Sequence, residues 1–155
     1  MTDLCNERTN LMNKHKFDIT GERNLEQSIK ESMDALIKKK SKLPTTVLFV
    51  EIPTNPDMKV PDIKVLADMC VAYKAKTKKE IVLLVDTTFA PASNCMGQIK
   101  SQAADLTTLN FISMSKSVSR GITCAGTIIA GPSESSRKWL EEMRKIAKML
   151  GTEAT

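Results

Sequence analysis

The chain has 155 residues, of which 41% are hydrophobic and 26% charged, with a formal net charge of +5. One domain is the natural count for this length, and such a chain buries roughly two-thirds of its unfolded surface without needing crosslinks. No stretch approaches the ~20 apolar residues of a membrane-spanning helix, and the N-terminus lacks the apolar core of a secretory signal, so the expected location is cytoplasmic.

Residues 1–16 are polar and aperiodic and are expected to form a tail. Phe17-Asp18-Ile19 alternates and predicts a short strand. Leu25, Ile29, Met33, Leu36 and Ile37 recur at helical spacing, with Glu26, Lys30, Glu31 and Asp34 off the stripe. Lys38-Lys39-Lys40 suits the end of that helix, where cations complement the dipole. The run is too short, and too poor in aromatic neighbours, to suggest a nucleic-acid surface.

After the break at Ser41–Pro44, Thr46-Val47-Leu48-Phe49-Val50 reads as a strand buried on both faces. Pro53 and Pro56 then shape a loop, and Pro61 opens a helix lined by Ile63, Leu66, Ala67, Cys70 and Val71. Strand Ile81–Val85 ends in Asp86. A polar excursion over Thr87–Gln102 follows, of the kind that often lines a site. Strand Leu106–Ile112 leads into the turn Ser113-Met114-Ser115-Lys116, and a last strand spans Thr123–Ala130. Gly131-Pro132 starts the final helix, whose expected core face is Trp139, Leu140, Met143, Ile146, Ala147 and Leu150. This alternation predicts an α/β fold: a mostly parallel sheet with helices on both faces.

Cys5, Cys70, Cys95 and Cys124 are far apart, with no CxxC pair and no metal-ligand rhythm. Three lie in apolar contexts, and the set reads as reduced packing residues. His15 is the only histidine, which removes Ser-His-Asp and Cys-His arrangements and any multi-histidine metal site. No GxGxxG or GxxxxGK[ST] follows a strand, so a nucleotide-binding domain is disfavoured.

Parallel strands offer their carboxyl ends on one shared edge, where ligands bind. Asp86 and Lys116 are both expected there. An acid that holds a pyridinium nitrogen and an amine that forms a Schiff base are what pyridoxal phosphate requires of a protein. Each residue alone has a plainer reading: Asp86 as a turn cap, Lys116 as one lysine among many. Ser113 and Ser115 offer hydroxyls suited to a phosphate monoester, though serine turns are common without function. Asn55, between Pro53 and Pro56, offers an amide to a ring hydroxyl or a substrate carboxylate, or is an ordinary turn asparagine.

Taken together, the segments resemble the Cys/Met-metabolism family of pyridoxal-phosphate enzymes, which includes cystathionine γ-synthase, cystathionine γ- and β-lyases and methionine γ-lyase. Glu51-Ile52-Pro53-Thr54-Asn55-Pro56 is similar to the family's E-x-P-T-N-P, and Val85-Asp86-Thr87-Thr88-Phe89 to its V-D-N-T-F. Ala104-Asp105 with Ser113-Met114-Ser115-Lys116 resembles A-D followed by S-x-T-K, and Gly126–Gly131 matches the strand beyond. The likeness covers roughly residues 24–151.

The resemblance implies a partial fold-type-I large domain over residues 17–155 and pyridoxal 5'-phosphate as cofactor. The reaction implied is β/γ-elimination or replacement on cysteine-, homoserine- or cystathionine-type substrates. It implies Lys116 as the Schiff-base and proton-shuttling residue and Asp86 at the pyridinium nitrogen. It also implies Ser113 and Ser115 at the phosphate, Asn55 by the ring hydroxyl and substrate carboxylate, and Thr88 at the ring face. A small amino-acid substrate and a homo-oligomer or complementing chain are the implied partners, with no nucleic acid and no membrane.

Thr87 replaces the family's usual asparagine, Ser117 its aromatic residue, and Arg120-Gly121 stands near its glycine-histidine. The family's upstream tyrosine and C-terminal arginine segments match nothing here. The chain is therefore expected to be the middle of a cofactor-binding domain: a fragment, a truncated gene product or one polypeptide of a split enzyme. The alternative is a non-catalytic relic acting as an interaction module.

Overall fold

A computed structural model of the chain describes residues 25–39, 43–55, 58–122 and 124–152. The expected tail, the Phe17–Ile19 strand, His15, Cys5 and Lys40 lie outside the described residues. Two compact units divide the chain, Met1–Pro44 and Thr45–Thr155. The first contains helix α1 (Leu25–Lys38), on which Leu25, Ile29 and Met33 are buried at helical spacing. Its side chains Gln27 and Glu31, one turn apart, share a 3.1 Å hydrogen bond.

The second unit holds a four-stranded sheet in the order β1 (Thr45–Glu51), β2 (Glu80–Asp86), β3 (Thr107–Ser113), β4 (Gly126–Ala130). The first three strands are parallel, as expected, and β4 runs antiparallel to β3. Such a return needs no helical crossover, and the connection from β3 is short. It contains only the one-turn helix α4 (Met114–Ser117) and a loop with Arg120 and Gly121 both at positive φ.

Helix α2 (Ile63–Thr77) joins β1 to β2. Asp62 caps its start by accepting the Lys64 and Val65 amides, at 2.9 and 3.2 Å. Lys78, in the left-handed region, ends it. The expected excursion after β2 is shorter than the sequence suggests, because its second half is helix α3 (Cys95–Gln102). Cys95 and Ile99, one turn apart, are the buried residues of α3, and Gln102 Nε2 ties it to Asp68 of α2 at 2.8 Å. Three apolar residues in eight, two of them adjacent, are too faint a pattern to reveal a helix from sequence.

Strand alternation sorts the sheet into two faces. One carries Leu48, Val50, Ile81, Leu83 and Val85, all buried. Helix α2 lies on that face, its Tyr73 hydroxyl 3.0 Å from Thr46 Oγ1, and α3 packs beside α2. The other face receives helix α5 (Glu134–Met149) over β3 and β4. Its anchors there are Ser135 to Thr107 at 2.7 Å and the Trp139 indole to Glu80 at 3.0 Å. Helices thus occupy both faces, although Val47 and Phe49 on the α5 side of β1 remain half exposed.

The last helix starts later than Gly131-Pro132. Ser133 is its N-cap, accepting the Ser136 amide at 3.1 Å. Gly131 instead serves a close crossing, where an added Cβ would come within 3.2 Å of the Thr108 carbonyl. The expected core face of α5 is corrected as well. Trp139, Leu140, Met143 and Ala147 are half-buried, but Ile146 and Leu150 are exposed at 55% and 70%. A helix this long spans roughly 24 Å, whereas β4 offers a platform of roughly 17 Å. Among the described residues nothing covers the far end.

Candidate functional site

The site is built at the carboxyl edge of the parallel strands. The register sets Glu51 beside Asp86, and Asp86 beside Phe111. Alternation puts the side chains of Asp86, Phe111 and Ser113 on the same face of the sheet. The backbone is drawn tight at this edge: the Ile52 amide donates to the Asp86 carbonyl at 2.8 Å, and the Thr87 amide to the Phe111 carbonyl at 3.0 Å.

From Asp86 a run of side-chain bonds crosses from β2 to β3. The Thr88 amide donates to Asp86 Oδ1 at 2.8 Å. The Ser113 amide in turn donates to Thr88 Oγ1, also at 2.8 Å. Ser113 Oγ and Ser115 Oγ are 2.8 Å apart. Lys116 follows within the α4 turn, its Nζ over the Phe89 ring at 5.4 Å from the centroid, a cation–π contact. The α4 turn is held by the Ala125 carbonyl, which accepts the Met114 and Ser115 amides at 2.9 and 3.2 Å. The structure therefore brings Asp86, Thr88, Ser113, Ser115 and Lys116 to one edge. The expected Ser113–Lys116 turn resolves into the last residue of β3 and the start of a helix.

Asn55 stands at the same edge, four residues beyond β1, exposed at the end of a loop whose Ile52, Pro53 and Thr54 are buried. Thr54 organises that loop: its hydroxyl accepts the Lys59 amide, and its own amide donates to the Lys59 carbonyl, both at 2.9 Å. The Asn55 amide donates to Glu51 Oε2 at 3.3 Å.

Two residues that the sequence reading left aside belong to this edge. Phe89, noted only as part of a motif, carries the Lys116 ammonium. Asn110, buried in β3, accepts the Thr87 hydroxyl at 3.0 Å. The signal for Asn110 was legible: a lone amide inside the apolar run Leu109-Asn110-Phe111-Ile112.

Away from the edge, Cys70 and Cys95 are buried free thiols, and burial pushes Cys70 up to about 12 and raises Cys95. Cys124 is exposed, which corrects its reading as a packing residue. Among the described residues no group of His, Cys, Asp or Glu could hold a metal ion, and no helix is long and apolar enough to cross a membrane.

An α/β unit with a carboxylate, two hydroxyls and an amine gathered at the carboxyl edge of parallel strands is of the ligand-binding class. Comparison with family models makes this specific: the model of the Cys/Met metabolism PLP-dependent enzymes matches residues 8–152. The chain belongs to that family, whose cofactor is pyridoxal 5'-phosphate. Among curated proteins none matches the chain.

The donor set fits this cofactor. Asp86 and Lys116 form no ion pair with each other; among the described residues Asp86 Oδ2 meets no donor and Lys116 Nζ no carboxylate. Acid and amine are thus both open to a third group. The Ser113 and Ser115 hydroxyls, 2.8 Å apart, are groups of the kind that suit a phosphate.

Proposed function

We propose that this chain is a pyridoxal-phosphate enzyme of sulfur amino-acid metabolism, or a piece of one, carrying out β/γ-elimination or replacement on cysteine-, homoserine- or cystathionine-type substrates. The observation that carries the reading is the bonded run Asp86–Thr88–Ser113–Ser115 at one sheet edge, with the Lys116 amine beside its end.

Bound pyridoxal phosphate supplies an electron sink for negative charge developing on the substrate. Asp86 holds the ring-nitrogen proton in place by its opposite charge. Its Oδ1 is anchored by the Thr88 amide, which would leave Oδ2 to hold the ring nitrogen. Lys116 would hold the cofactor through its amine, in the neutral form, and would serve as the proton carrier at the substrate carbon. Ser113 and Ser115 would hold the phosphate with their hydroxyls, and Asn55 would offer its amide to the ring hydroxyl and the substrate carboxylate. Thr88, whose hydroxyl accepts the Ser113 amide, would contact the ring face. A second copy or a complementing chain completes the assembly in this reading.

Absorbance tests it. The purified chain with excess pyridoxal phosphate should turn yellow, lose its colour on borohydride reduction and carry the label on Lys116. A mixture that stays colourless refutes catalysis by this chain alone and favours the non-catalytic relic, and a label on another lysine removes Lys116 from its role.

A further inference from the structure

Thr87 and Asn110 are 1% and 6% exposed, and the Thr87 hydroxyl donates to Asn110 Oδ1 at 3.0 Å. The other end of that carboxamide, Nδ2, meets no acceptor among the described residues. A buried donor without a partner lowers stability, and an apolar pair of the same shape is often neutral or better. Fold stability therefore does not account for this pair.

Its geometry does. Residue 87 is joined to β3 twice, by its hydroxyl to Asn110 and by its amide to the Phe111 carbonyl at 3.0 Å. Immediately before it comes Asp86, and immediately after it Thr88, which donates to Asp86 Oδ1 and accepts from the Ser113 amide. Apolar burial is non-directional, whereas a hydrogen bond fixes distance and angle. An apolar residue at 87 would fill the space and keep the amide bond to Phe111, but it would lose the second, directional tie to β3 through Asn110.

We propose that Thr87 and Asn110 are positioning residues: their bond sets the turn that aims the Asp86 carboxylate relative to Ser113 and Lys116. The consequence for cofactor rests on the reading under Proposed function. The mechanical consequence does not, and is read without cofactor.

The test uses the full chain as wild type, Thr87→Val, Thr87→Ser and the double variant Thr87→Val/Asn110→Leu. Amide hydrogen exchange is followed by NMR, and pyridoxal phosphate binding by absorbance titration. In Thr87→Val and the double variant, exchange at Thr88 and Ser113 should accelerate about tenfold while Leu83 in central β2 stays protected. Cofactor affinity should fall by about tenfold in both. Thr87→Ser keeps the hydroxyl and should match wild type in both measurements.

Unchanged exchange at Thr88 and Ser113 overturns the proposal. So does acceleration spread evenly over the sheet, or unfolding of both valine variants, since either marks a purely structural pair. Local acceleration with undiminished cofactor affinity overturns it too. If wild type binds no cofactor, the Proposed function fails instead, and exchange alone decides: local acceleration rescued by serine upholds the positioning role, and its absence refutes it.

Discussion

The Ser113 amide donates to the Thr88 hydroxyl at 2.8 Å, so the residue two past the end of β2 is tied to the last residue of β3. Together with the Thr88 amide bond to Asp86, it links the carboxylate of β2 to the end of β3 from which Lys116 follows. Thr88 is 5% exposed, so little water can replace the bond once it is lost. Thr88→Val keeps the shape and removes the acceptor. It should destabilise the chain by roughly 1–2 kcal/mol in urea unfolding. An unchanged urea midpoint would show that the Ser113 amide finds another partner.

Asp86 serves two purposes that a pair of variants can separate. Asp86→Asn retains an oxygen for the Thr88 amide but has no charge; Asp86→Ala has neither. The asparagine variant should unfold within about 0.5 kcal/mol of wild type, yet bind pyridoxal phosphate more weakly and lose turnover. Full turnover by Asp86→Asn would remove the charge from the mechanism.

Lys116 is exposed, and its described contact is the Phe89 ring. Exposed cation–π contacts contribute about 0.5–1 kcal/mol, so Lys116→Ala should fold nearly as well as wild type. It should nonetheless form no colour with cofactor and retain no label after borohydride. Mass spectrometry of peptides checks this directly, because label appearing at unchanged yield elsewhere would displace Lys116 from its role.

At the opposite edge, Glu80 accepts the Trp139 indole at 3.0 Å. Trp139 is the only tryptophan, so its fluorescence reports on this contact alone. Glu80→Ala should shift the emission, and should lower stability by roughly 1–3 kcal/mol by leaving a part-buried N–H without its acceptor. The edge that carries Asp86 should keep its cofactor behaviour.

Burial holds the Cys70 thiol neutral, up from the usual 9.0 to about 12. In the unfolded chain the same thiol ionises near 9.0. Between those values the folded state keeps a proton that the unfolded state has lost, so stability falls as pH rises through the window. The urea midpoint should therefore decline from pH 9.0 toward about 12, and less steeply in Cys70→Ala. Parallel profiles for the two would contradict it. Below that window, exposed Cys124 should react with a thiol reagent well ahead of Cys70 and Cys95.

The sequence alone determined the strands and the edge. Val47–Val50, Ile81–Val85 and Leu106–Ile112 are apolar and β-branched enough to name themselves, Asp86 and Lys116 each follow one of them, and the legible helix between the first two sets those two parallel. Their family likeness rested on short segments whose order survives without any fold.

Tertiary structure decided what depends on neighbours distant in the chain. The eight residues of α3 are a helix because Cys95 and Ile99 find a buried place and Gln102 reaches Asp68. The α5 stripe looks uniformly apolar, but its burial depends on how far β3 and β4 extend beneath it. Asn110 is a plain polar interruption until the register brings it to Thr87, because a hydrogen bond between strands is specified by pairing and not by either residue alone.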